Sequence, residues 1–209
     1  MSAKFNATGE ALQATADLVD SSTDYACTFW ARVKSAPTGS HFVSLLEIVQ
    51  MGIDGLGIYT LPTDSNKFYL YVGNGVSSDD TLRYTFSTNL LPFAYSRSGN
   101  NHSFYCDGQF IGTVTLDITA LTFDALNLGE PGLAVAPEVD MFDFREWNNS
   151  LTFNQIKAEW RSSAPVKTID LWRDCALLAD PDDQSGNGFD LAPAGSVSYI
   201  GMNFIISRL

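Results

Sequence analysis

Basic residues are scarce in this chain. Across 209 residues, 12 Lys and Arg stand against 24 Asp and Glu, a formal net charge of -12. A surface this acidic is repelled by a phosphate backbone, and no basic cluster offsets the deficit, so nucleic acid is excluded as an expected partner. Cysteine is equally sparse. Cys27, Cys106 and Cys175 form an odd, widely spaced set that makes no disulfide framework, and buried free thiols are the expectation. The two histidines, His41 and His102, have neither zinc-ligand nor triad spacing around them. No Gly-rich phosphate loop follows a strand and opens a helix. No run approaches the roughly 20 apolar residues of a membrane span. The opening "MSAKFNATGE" lacks the apolar stretch of a signal peptide, and without one the glycosylation patterns at Asn6, Asn101 and Asn148 read as chance.

What the chain does have is apolar alternation. Hydrophobic residues make up 45% and charged residues 17%, enough for a large core with polar turns between strands. In "DYACTFWARV", Tyr25, Cys27, Phe29, Ala31 and Val33 fall on one face of a strand. "HFVSLLEIV", "KFYLYVG", "TLRYTF" and "PFAYSRSG" follow, separated by Gly, Ser, Asn and Asp. In "HSFYCDGQFIGTV", Asp107-Gly108 has the signature of a type I′ turn, predicting the pairs Cys106 with Gln109, Tyr105 with Phe110 and Phe104 with Ile111. One helix is signalled near 152–162. Thr152 and Gln155 have capping-box spacing, Leu151 and Ile156 sit where a hydrophobic staple forms, and Ala164-Pro165 stops it. These elements predict a single all-β domain over 1–209, an antiparallel β-sandwich with one short accessory helix.

The order of the pieces resembles laminin-G-like and pentraxin-like domains. "YACTFWARV" is similar to their early strand, "FYCDGQFIGTV" to their hairpin, and "LNLGE" to the short glycine-ended strand that follows. "VDMFDFREWNNSLTFNQI" is similar to their late strand, Asn-rich corner and capped helix, so the resemblance runs from Tyr25 to Trp160. It implies the concanavalin A-like jelly roll, two antiparallel sheets with a curved concave face. "DPDDQSGNGFDL" resembles the "D-x-SGNG" loop of such domains, at a permuted position near the C-terminus.

Two constellations bear on chemistry. Laminarinases and related β-glucanases share that jelly roll and carry Glu-x-Asp-x-x-Glu, with a nucleophile, an assisting Asp and an acid/base. By that resemblance Glu138 and Asp140 in "EVDMFDFREW" fill the first two positions, and Asp143 stands where the second Glu belongs. Residues two apart share a strand face, so position 143 needs a bulge to rejoin it. Retaining chemistry also needs carboxylates about 5–5.5 Å apart, and the shorter Asp reaches poorly. The segment reads more simply as structure, with Phe142 and Phe144 one core-directed face, Arg145 paired with nearby acids and Trp147 opening the corner. Trp30, Trp147, Trp160 and Trp172 are likewise explicable as packing. The second constellation is Asp180, Asp182, Asp183 and Asp190, hard oxygen ligands that suit calcium, or equally a loop whose side chains bond its own backbone.

The expected function is a non-catalytic, lectin-like module for surface recognition or assembly, with no cofactor except possible calcium at those four aspartates. The expected partner is a glycan or a virion structural protein. The expected setting is a virion surface, as a phage decoration, fibre or tail protein made in the host cytoplasm. Its alternatives are an extracellular glycan-binding domain and a degenerate β-glucanase-like hydrolase. The loops around "MGIDGLG", "GNGVSSDD" and "DPDDQSGNG" are the expected contact points.

Overall fold

A computed structural model describes residues 2–5, 11–16, 18–35, 43–50, 54–60, 67–129, 138–175, 182–194 and 198–200. Strands β1 (Ser2–Phe5), β2 (Ala11–Ala14), β3 (Tyr25–Val33), β4 (Val43–Gln50), β5 (Asp54–Thr60) and β6 (Lys67–Gly73) come first. Short strands β7 (Ser78–Asp79) and β8 (Arg83–Thr85) precede β9 (Leu91–Ser98), β10 (Asn101–Cys106), β11 (Gln109–Thr115), β12 (Ala125–Leu128) and β13 (Val139–Trp147). Helix α1 (Phe153–Trp160) leads to β14 (Leu171–Cys175), β15 (Ala192–Ala194) and β16 (Ser198–Ile200). Among the described residues these strands make two antiparallel sheets. One has the order β11-β10-β9-β3-β13-β1-β16, with β14 also beside β13; the other has the order β15-β2-β12-β4-β5-β6-β7, with β8 also beside β6.

The inner faces of the two sheets share one core. Tyr25, Cys27, Phe29, Ala31 and Val33 of β3 all enter it, as the period-two pattern predicts. Phe29 stacks on Phe93 at 5.5 Å, and Phe93 meets Phe68 of the second sheet edge-on at 5.1 Å, so three rings tie the layers together. Each such fully buried side chain contributes roughly 1.5–3 kcal/mol. All three cysteines are buried free thiols. His102 is equally enclosed. Its Nε2 lies 2.8 Å from the Leu116 carbonyl and its Nδ1 2.6 Å from the Tyr95 hydroxyl, and burial pulls its pKa down to about 4. The ring is therefore neutral: Nε2 donates to Leu116 and Nδ1 accepts from Tyr95.

Local chemistry sets the connections. Asp107 and Gly108 adopt φ of +51° and +72°, the two positive angles of a type I′ turn, and pair Cys106 with Gln109 and Tyr105 with Phe110. Phe104 then opposes Gly112 rather than Ile111, because a bulge between Phe104 and Tyr105 absorbs one residue of β11. The helix is shorter than the 152–162 expected, ending at Trp160 with Arg161 as its C-cap. Its start is as predicted: Thr152 caps it, with Gln155 returning a bond to the Thr152 N–H at 2.8 Å. It lies on the outer face of the first sheet over Ala26 and Ala94, whose small side chains admit Leu151, Ile156 and Trp160. Trp160 Nε1 donates to the Phe93 carbonyl at 3.2 Å.

One expectation for β13 is overturned. Phe142 and Phe144 do not share a face. Phe142 opposes Trp30 and Arg145 opposes Thr28, leaving Asp143 and Phe144 to share the space across from Phe29. Asp143 makes this bulge with a φ of +57°. Phe142 consequently stacks on Trp30 at 5.8 Å, whereas Phe144 turns inward to Phe29 at 6.5 Å. The same shift carries Glu146 to the core side, where it accepts from Tyr25 Oη at 2.6 Å and pairs with buried Arg173 of β14.

Candidate functional site

Helix α1 occupies the outer face of the first sheet. The outer face of the second sheet carries the aromatic surface. Phe68, Leu70 and Val72 of β6 point into the core, so Tyr69 and Tyr71 point out. Tyr59 of β5 is the cross-strand partner of Tyr69, and their rings stack at 5.8 Å; Tyr59 also meets Tyr71 edge-on at 6.2 Å. Tyr59 can lie down on the sheet because its neighbour on the same face is Gly57. A Cβ built there would come within 2.2 Å of the Tyr59 ring. The reclining ring reaches Glu47 of β4, donating its hydroxyl hydrogen to Oε1 at 3.0 Å. Asn127 of β12 donates Nδ2 to Glu47 Oε2 at 3.2 Å. A carboxylate only accepts, so this contact fixes the amide orientation and leaves Asn127 Oδ1 buried with no protein donor. Tyr69 is buried, Tyr59, Tyr71 and Glu47 are half-buried, and Arg83 of β8 is exposed, with its guanidinium 6.0 Å above the Tyr69 ring.

Charge and burial tune these phenols. Burial pushes the Tyr59 hydroxyl well above its usual pKa, and the neighbouring Glu47 carboxylate adds to the effect. Tyr71 is raised by burial and by its bond to Asp54. Both phenols are therefore neutral donors at physiological pH, and both hydrogens are directed at carboxylates.

Two of the three expected loops meet beside this cluster. Asp54, at the start of β5, packs its carboxylate over Gly73, accepts from Tyr71 Oη at 2.6 Å and accepts from the Gly75 N–H at 3.1 Å. The "MGIDGLG" and "GNGVSSDD" segments are joined there; residues 51–53 lie outside the described residues. Asn74 Oδ1 then accepts the N–H groups of Val76 and Ser77 at 3.0 and 2.9 Å, and Gly75 takes a φ of +81°. This braced turn presents Val76 with 95% of its surface exposed. The third loop lies elsewhere, packed on β14 and leading into β15 at the opposite edge of the second sheet.

The carboxylates matched to the glucanase motif divide between two sets of cations. Asp140 accepts from Arg32 Nε at 2.9 Å and lies 3.5 Å from Lys34 Nζ, and Glu138 pairs with the same lysine. Asp143 instead lies 2.8 Å from the Arg145 guanidinium. That guanidinium also meets Glu159 of α1 at 3.1 Å and Asp174 of β14 at 3.3 Å, so the acid pairing expected of Arg145 is threefold. Burial pushes the Asp143 carboxyl up to about 6; Arg145 pulls it down, and Asp174 and Glu159 push it up. Glu159 also accepts the Val166 and Lys167 N–H groups at 3.1 and 2.7 Å, stapling the segment after the helix. The bulge at position 143 thus supports a buried network between helix and sheet.

Asp183 has a similar role in the late loop. Its Oδ1 accepts the Asp174 and Ser185 N–H groups, both at 2.9 Å, while its Oδ2 accepts Ser185 Oγ at 2.7 Å and the Phe189 N–H at 3.1 Å. Burial raises its pKa, but these bonds outweigh burial and hold the carboxyl below its usual value. Asp190 accepts the Asp183 N–H at 2.8 Å, Asp182 is exposed, and Asp180 lies outside the described residues. Gly186 and Gly188 supply φ of +91° and +74°. Among the described residues, no group of three or more His, Cys, Asp or Glu is placed to hold a metal.

No family model and no curated sequence matches this chain. Solved structures match it in fold. The binding domain of botulinum neurotoxin DC in complex with rat synaptotagmin II shares 14% identity at a TM-score of 0.53, over 66% of this chain and 35% of that one. The botulinum neurotoxin serotype C1 binding domain shares 13% at 0.54, over 68% and 37%. A botulinum neurotoxin type C structure, described by its dependence on two ganglioside molecules for cell entry, shares 14% at 0.51, over 64% and 34%. The likeness is one of fold. This chain spans little more than a third of the length of those proteins. Tyr59, Tyr69, Tyr71, Glu47 and Asn127 were absent from the site residues expected from sequence; the alternation of "KFYLYVG" was the available signal.

Proposed function

We propose that this protein is a non-catalytic carbohydrate-binding module built on a concanavalin A-like jelly roll, and that the outer face of the second sheet is its binding surface. The observation that carries the reading is the tyrosine cluster. The half-exposed rings of Tyr59 and Tyr71, packed on the buried Tyr69, form an aromatic surface flanked by Glu47 and Asp54. Sugar rings have apolar C–H faces and a polar rim, so they suit an aromatic platform edged by hydrogen-bonding groups. The braced turn carrying Val76 forms one border of this surface, as a contact loop on a rigid scaffold does.

The fold comparison supports the same reading. Among the similar structures, one is described as a receptor binding domain, one is a neurotoxin binding domain in complex with SialylT, and one is of a toxin whose cell entry depends on two ganglioside molecules. A glycan array with the purified protein tests the proposal. Specific binding should appear and should fall at least tenfold in Tyr59→Ala and in Tyr71→Ala. Binding unaffected by both substitutions would move the site elsewhere. A silent array, together with co-purification of a capsid or tail protein, would move the assignment to a virion structural role.

A further inference from the structure

The polarity of the tyrosine face selects among glycans. Three of its protein donors are turned onto carboxylates: Tyr59 Oη and Asn127 Nδ2 give their hydrogens to Glu47, and Tyr71 Oη gives its hydrogen to Asp54. Carboxylate acceptors therefore border the half-exposed rings of Tyr59 and Tyr71. These acceptors are the remaining lone pairs of the Glu47 and Asp54 carboxylates; Asn127 Oδ1, which no protein donor reaches, is buried beside them. A ligand satisfies such a surface by bringing hydrogens of its own, as the hydroxyls of a neutral sugar do.

Charge points the same way. Glu47 and Asp54 flank the rings directly, and Asp79 and Asp80 follow in the adjoining segment. The cations nearby are Lys67 and Arg83. Arg83 is held by the Asp80 carbonyl and carboxylate, both at 3.2 Å, and Lys67 Nζ is 3.5 Å from Thr85 Oγ1. The balance around the rings is negative, within a protein of net charge -12. A carboxylated sugar laid on Tyr59 and Tyr71 would bring like charge to a partly desolvated carboxylate pair, which weakens binding.

We propose that the tyrosine face recognises uncharged, hydroxyl-rich glycans and rejects acidic ones such as sialylated or uronic-acid chains; this rests on the carbohydrate-binding reading above. The experiment titrates matched pairs of oligosaccharides that differ only in a terminal sialic acid or a uronic-acid unit, using isothermal titration calorimetry. Neutral members should bind at least tenfold more tightly than their acidic counterparts at low ionic strength. Glu47→Gln and Asp54→Asn should narrow that gap by improving acidic binding. Equal or tighter binding of the acidic members would overturn the selectivity and leave carbohydrate binding standing. If no member of any pair binds, both proposals fall together.

Discussion

Tyr59 lies across Gly57, its ring filling the space that a side chain at position 57 would need. A Cβ there would stand 2.2 Å from Tyr59 Cε2 and 2.5 Å from Tyr59 Oη. Gly57→Ala must therefore lift the ring and break the bond to Glu47. The expected cost is about 1–3 kcal/mol from overpacking and the lost bond together. In a Tyr59→Ala background the same substitution should cost much less, since the two residues are coupled only by contact. Urea unfolding of the four proteins in this cycle checks it; equal costs in both backgrounds would separate the ring from the glycine.

The Arg145 network makes stability depend on pH. Asp143 has a folded pKa of about 6 against 3.8 for the free group, because burial disfavours its charge. The folded state consequently binds a proton more tightly than the unfolded state does. This contribution is full below the unfolded value and is lost as pH rises through about 6. Asp143→Asn mimics the protonated form, and Asn tolerates the positive φ at this position. The variant should equal the wild type near pH 4 and exceed it at pH 7 by on the order of 2 kcal/mol. Thermal melts of both proteins across that range test this; parallel pH profiles would remove Asp143 from the titration.

Asp183 organises the late loop through four hydrogen bonds. Asp183→Ala should cost about 1–3 kcal/mol by leaving the buried ends of those bonds unmade. With the Asp183 oxygens already occupied, a chelator should leave the wild-type melting midpoint unchanged. A midpoint that rises with added calcium and falls with chelator would make the loop a cation site instead.

Short-range chemistry was legible in the sequence. The Asp107-Gly108 turn and the Thr152–Gln155 capping box depend on residues within a few positions of each other, so their spacing alone predicts them. The bulge at Asp143 entered the sequence reading only as a condition of the glucanase match, not as an expectation. "MFDFRE" keeps an apolar alternation that looks regular, and only a left-handed backbone at one aspartate shows that Phe142 and Phe144 part company. The tyrosine face was half legible. Tyr69 and Tyr71 alternate against Phe68, Leu70 and Val72, which marks an outward aromatic pair. Their meeting with Glu47 and Asn127 depends on the order β12-β4-β5-β6, which brings residues 80 positions apart into one row. No local pattern carries that order.

The central claim is that the tyrosine face of the second sheet binds glycan. Its most direct test is an NMR titration with the tightest neutral oligosaccharide from the array, following the backbone amide and aromatic side-chain resonances. The account predicts saturable shifts confined to Tyr59, Tyr69, Tyr71 and the adjoining Gly73–Asp80 segment, abolished in Tyr71→Ala. Shifts confined to helix α1 or to residues 182–191, or no saturable shift at all, would contradict it.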